Sequence, residues 1–211
     1  MNDTSPSAEN ICSATARRSA RDRIFDAARD LFYRQGIRGV GVDAIAEQAG
    51  ATKMSLYRAF PGKDELVAEC LRHSAAQFWV WWDEVVDQHA PDARATLLAL
   101  FRGLAQQQKS PQHRGCPIAN AAVELTAAEH PARDIVLHYN REKRRRLRAL
   151  CRQLGVREPD RLAAGLQLLM DGACLSRVTF GAEGPCAALP HTAASLIDAA
   201  TAQPKPGTHV A

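Results

Sequence analysis

Residues 42–66 read VDAIAEQAGATKMSLYRAFPGKDEL. The stretch opens as an amphipathic run, with Val42, Ile45, Ala46 and Ala49 at helical spacing, and the run stops at Gly50. A short basic and aromatic segment follows at once, and Pro61-Gly62 closes it. Thr52 suits the N-cap of that segment, because its hydroxyl can accept from a free amide of the first turn. Two short helices joined by a tight turn have the layout of a helix-turn-helix. Ala46 is small where the helices approach, and Gly50 supplies a permissive backbone four residues later. Leu56 comes six residues further on, as the apolar anchor that seats the second helix. With Leu56 and Ala59 inward, Thr52, Lys53, Ser55 and Arg58 fall on or near the exposed side. Those side chains are donors suited to phosphates and base edges. A solvated helix face without a partner is the usual fate of a generic short helix. The Ala–Gly–Leu spacing, the preceding core helix and Tyr57 beside Arg58 favour DNA reading instead.

Outward from this stretch the pattern stays helical. Ile24, Ala27, Ala28, Leu31 and Phe32 predict a helix over 19–35, stopped at Gly36. A long helix is expected from Lys63 to about residue 88, another from Pro91 to about 109, and one opening at Pro117, where proline suits a first turn. His130-Pro131 breaks the latter. Further helices are expected over 132–154, 159–180 and 188–202. No β-alternating run competes, so the fold class is all-α. The expected organisation is a flexible tail over 1–18, a three-helix DNA-binding domain over 19–62, a larger helical effector-binding and dimerisation domain over 63–203, and a flexible tail over 204–211.

The 211-residue chain is long enough for one or two domains with real cores, and its net charge of +4 alone decides nothing. Its distribution says more. Residues 17–63 hold ten Lys/Arg against five Asp/Glu. A second basic run, REKRRRLR at 141–148, reads as a solvated helix face with Glu142 and Arg146 at pairing distance. No apolar stretch is long enough to span a bilayer, and residues 1–19 lack the apolar core of a signal peptide, so the expected compartment is the cytoplasm, with no membrane partner. The six cysteines are scattered without a CxxC pair or zinc-ligand spacing, so no metal and no cofactor is expected. No Gly-rich phosphate loop, nucleophile elbow or paired-carboxylate motif points to an enzyme.

Residues 20–66, and in particular AARDLFYRQGIRGVGV, IAEQAGATKMSLYRAF and PGKDEL, resemble the N-terminal domain of the TetR family of bacterial transcriptional regulators. The likeness runs about 45 residues without a gap, and RGCPIANAAVEL at 114–125 resembles a segment of one broad subset. The resemblance implies a homodimeric regulator of operator DNA, most often a repressor released by a small-molecule effector. It assigns Lys53 and Met54 to base edges, Thr52 and Tyr57 to phosphates, Arg58 to the backbone or a base, and Lys63 to a phosphate. Val42 stands where many relatives have Thr, and Ala59 where His is frequent, so two polar groups near DNA are absent. Arg17, Arg18, Arg21 and Arg23 offer a basic arm for the backbone or minor groove.

The effector is expected to be small and apolar or aromatic, in a pocket drawn from Phe78, Trp82, Phe101, Cys116, Asn120, Tyr139, Met170 and Cys174. Simple core packing is the competing reading for each residue taken singly. Cys116 precedes a helix beginning at Pro117, with His113 and Arg114 close by, where free N–H groups and the helix dipole favour an anion. Both effects favour a thiolate, so the alternative function is a repressor switched at Cys116 by an electrophile or oxidant. Asn120 and Glu124 follow on the same face at i+4 and i+8. The stripes Leu162, Leu166, Leu169 and Ala173, then Leu189, Ala193, Leu196 and Ile197, have two readings: packing that completes the chain's own core, or, as the resemblance implies, the dimer interface.

Overall fold

The computed structural model describes residues 18–202, which form nine α-helices and one 3₁₀ turn. The expectations for the two terminal tails, and for Arg17, lie outside these residues. The helices are α1 (Ala20–Gln35), α2 (Val42–Gln48), α3 (Lys53–Ala59), α4 (Lys63–His89), α5 (Ala93–Gln107), α6 (Pro117–Glu124), α7 (Ala132–Gln153), α8 (Pro159–Phe180) and α9 (Leu189–Thr201), with the 3₁₀ turn at Pro185–Ala188. The all-α reading holds throughout.

Local chemistry accounts for the boundaries. Ser19 caps α1 by accepting from the Asp22 amide at 3.1 Å, and its hydroxyl donates back to the Asp22 carboxylate. Thr52 caps α3 in the same way, accepting from the Ser55 amide at 3.1 Å. Gly50 turns the chain with φ of +56°, a conformation that costs glycine nothing. Helix α6 ends at Glu124, earlier than the proline at 131 requires, because Leu125 drops into the core and Glu124 turns to α1.

Two apolar cores divide the molecule, and the seam runs through the middle of α4. The first joins α1, α2 and α3 to the start of α4, to Ile118, Ala121 and Leu125, and to Tyr139 of α7. The second holds Trp82, Leu97, Leu100, Phe101, Leu147, Leu166 and Ile197 from α4, α5, α7, α8 and α9. Thus α6 packs on α4 and α7 while its Ile118 and Ala121 join the first core.

This packing favours core completion over a dimer surface for most of the two stripes. Leu162, Leu166, Ala173, Leu189, Ala193 and Ile197 are buried within the chain's own second core, and Leu169 and Leu196 pack against it half-buried. The stripe turned outward on α8 is the opposite one: Leu168 is 72% exposed and Leu175 69%, with Gly172 exposed between them. Periodicity finds an apolar face on a helix, and α8 has two.

Candidate nucleic-acid interface and cavity

Helix α3 is seated by Leu56, which is fully buried, while Phe60 at its end is also in the core. That anchoring turns the other face outward. Thr52, Lys53, Met54, Tyr57 and Arg58 are exposed, Ser55 is half-buried on the same side, and Lys63 is half-buried at the start of α4. Met54 is 64% exposed, far more than core packing of a thioether allows. The Lys53 ammonium lies 3.0 Å from the Asp43 carboxylate of α2, which holds the lysine protonated above its ordinary range. The seven predicted DNA-facing residues thus lie on or at the cap of α3 and at the start of α4, none of them buried.

The basic arm is different. Arg23 donates through Nε to the Ala49 carbonyl at 3.0 Å and through Nη2 to the Gly50 carbonyl, locking the turn between α2 and α3. Arg21 forms a two-point pair with Glu69 and lies over the Phe60 ring, and Arg18 pairs with Asp26. Two of these arginines therefore brace the reading head from behind, where sequence alone counted only their charge.

Helix α6 joins this head to the rest of the protein. At its start, the Tyr33 hydroxyl of α1 accepts from the Arg114 amide at 2.6 Å and donates to the Gly115 carbonyl at 3.2 Å. At its end, the Glu124 carboxylate accepts from the Ile37 amide at 2.6 Å and the Arg38 amide at 3.2 Å, and Arg38 donates to Thr126. The start of α6 is thus held by the last turn of α1, and its end by the turn that carries α1 into α2. Asn120 donates to the Arg114 carbonyl and tightens the loop before the helix.

Behind α6 lies a cavity of about 300 Å³ between α4, α5, α7 and α8. Phe78, Cys116, Tyr139, Met170 and Cys174 line it, as expected from the sequence. Three candidates do not. Trp82 and Phe101 are packed solid in the second core, and Asn120 faces a separate groove beside α1 with Glu124. That groove and the cavity share Ser74, Gln77 and Pro117, so α6 forms the partition between them.

The cavity is more polar than expected. Lys143, the third residue of the basic run, is only 4% exposed; its ammonium lies 2.6 Å from Asp171 and 5.3 Å from the Tyr139 ring. The run is therefore not wholly a solvated face, although Glu142 does pair with Arg146 at 2.7 Å. Tyr139, Lys143, Leu147 and Leu150 share one helical stripe, a signal present in the sequence but masked by the surrounding charge. The Gln108 amide oxygen is buried in the same region without a hydrogen-bond partner. Burial, with Arg177 adding to it, lowers the His113 pKa, which favours the neutral ring.

A family model described as "Bacterial regulatory proteins, tetR family" matches residues 24–70. The chain is 32% identical to a TetR-type transcriptional regulator of Streptomyces avermitilis whose crystal structure superposes with a TM-score of 0.73, covering 87% of this chain and 98% of that one. The chain belongs to the TetR family of bacterial transcriptional regulators. A second family structure, SCO4454 of Streptomyces coelicolor, is 27% identical with a TM-score of 0.78, over 86% of this chain and 94% of that one. Among curated relatives, the HTH-type regulator YxaF of Bacillus subtilis is 27% identical over 124 residues, 58% of this chain and 65% of that one. As a family member the protein is a helix-turn-helix, DNA-binding transcriptional regulator. No described helix is long and apolar enough to cross a membrane.

Proposed function

We propose that this regulator is a repressor, homodimeric and cytoplasmic, that leaves its operator when a small aromatic or apolar molecule enters the cavity behind α6. The observation that carries this reading is the double role of α6. Its first turn lines the cavity, and its two ends hold the last turn of α1 and the turn into α2. A ligand that displaces Pro117 or Ile118 must act on the reading head through Tyr33 and Glu124. Release follows only if the ligand binds the displaced arrangement better, which sets the sign of coupling. Gln108 lines the cavity, so an effector with one N–H or O–H donor on an otherwise apolar frame is expected to pair with its side-chain amide.

In this reading residues 19–62 read DNA, and residues 63–203 bind effector and partner. Lys53 and Met54 meet base edges, while Thr52, Ser55, Tyr57, Arg58 and Lys63 meet the backbone or flank it. The partner sits on the exposed α8 stripe, where Leu168, Gly172 and Leu175 recur at four and three residues, the spacing of a helix–helix seam.

The test is fluorescence anisotropy on the DNA upstream of the protein's own gene. Tight binding is expected, weakening with salt at a log–log slope of about −0.9 per neutralised phosphate. Equal affinity for unrelated DNA would remove the regulatory reading. A panel of aromatic alcohols and amines should then reverse binding in the wild type but lose potency with Gln108→Leu. Potency independent of Gln108 would place the effector elsewhere.

A further inference from the structure

Two thiols face the cavity from different helices. Cys116 stands at the N-cap of α6 and Cys174 lies in α8. The residue before Cys116 lies against Cys174: a Cβ at Gly115 would stand 3.2 Å from the Cys174 carbonyl oxygen, so the absence of a side chain at 115 lets this loop lie against α8. Cys116, Cys174 and Tyr139 line the same wall of the cavity. The other described cysteines line no part of this cavity. Cys70 and Cys151 are buried in the two cores, and Cys186 donates to the Gly181 carbonyl at 3.4 Å.

We propose that Cys116 and Cys174 form a redox-active dithiol, which a two-electron thiol oxidant entering the cavity converts to a disulfide joining α6 to α8. Cys116 is the attacking sulfur. Burial pushes the Cys174 thiol up to about 12, so it waits in its protonated form. With an azodicarboxamide such as diamide, Cys116 Sγ adds to one nitrogen of the N=N bond and its proton ends on the other. Cys174 Sγ then attacks Cys116 Sγ. The S–S bond forms, the S–N bond breaks, and the departing nitrogen takes the Cys174 proton. Two thiols lose two electrons and the azo group becomes a hydrazine.

The disulfide acts where α6 begins. Tyr33 holds the neighbouring residues 114 and 115 through two hydrogen bonds, so drawing Cys116 onto α8 pulls against the hold of α1. The proposed readout, loss of operator binding, rests on the DNA-binding regulator described above. Formation of the bond does not.

The experiment uses the full chain with diamide, followed by unreduced proteolysis, mass spectrometry and anisotropy on the upstream DNA. A linked peptide containing Cys116 and Cys174 is expected, lost on adding dithiothreitol and absent from Cys116→Ser and Cys174→Ser. Operator affinity should fall about ten-fold in the wild type and in neither variant, within the range of ordinary coupling. Cys174→Ala, with its melting temperature, checks that loss of the link is not loss of fold. Free Cys116 and Cys174 after diamide has oxidised other thiols would overturn the dithiol. A formed link with unchanged affinity would overturn the switch. Reduced protein that ignores the DNA would instead reject the operator reading, and the linked peptide would still decide the dithiol.

Discussion

At the scale of single residues, the reading head depends on side chains held ready by their neighbours. Lys53 is already paired with Asp43, so meeting a base edge means exchanging a carboxylate for a purine acceptor. Lys53→Ala is expected to weaken operator binding by about ten- to a hundred-fold and to relax preference at one base position. Lys63→Ala should weaken all sequences alike and flatten the salt slope by about one. Anisotropy against an operator mutated one base at a time separates the two; a sequence-selective loss at Lys63 would exchange their roles. These side chains were legible in the sequence because a reading helix needs a buried anchor and an exposed basic face within seven residues, a pattern with few other uses. Gln108 and Lys143 were not. Nothing in a glutamine at a helix end or a lysine among arginines announces that it points inward, since only packing decides it.

At the scale of elements, α6 is the part whose role sequence could not reveal. Eight residues with two hydrogen-bonded ends look like an ordinary short helix until the distant amides of Ile37 and Arg38 are seen against Glu124. Glu124→Ala leaves both amides without that partner. A destabilisation of about 1–3 kcal/mol is expected, read by denaturant unfolding, together with weaker operator binding. Full operator affinity in a destabilised variant would confine Glu124 to a structural role. Helix α7 offers a separate test. The Arg145 guanidinium, joined by Arg146, holds the Glu142 carboxyl down to about 2. A carboxyl depressed in the folded state stabilises above its unfolded pKa, and the contribution fades as pH falls from about 4.5 toward 2. Glu142→Gln should therefore lower the melting temperature by about 2–4 °C at pH 7 and by much less near pH 2.5. An equal penalty at both values would mean that the pair does not act through charge.

At the scale of the whole molecule, the order of the helices was legible, and most boundaries to within about two residues, because glycine and proline mark them; the end of α6 was the exception. The proposed partner surface was not, because two apolar stripes on α8 compete and the more regular one serves the chain's own core. Leu168→Glu with Leu175→Glu should give a folded monomer by sedimentation, with operator affinity reduced through loss of the second half-site. A dimer that survives both charges must join elsewhere. The arrangement also carries its own optical reporter. All three tryptophans of the chain, Trp79, Trp81 and Trp82, lie within four residues on α4: Trp81 borders the cavity, Trp79 lies under Arg146, and Trp82 is sealed in the second core. Ultraviolet emission from this protein is therefore a local signal. Excited selectively over tyrosine, any change in the tryptophan intensity or wavelength reports the stretch of α4 beside the cavity, with no dye attached and no tryptophan in the reading head.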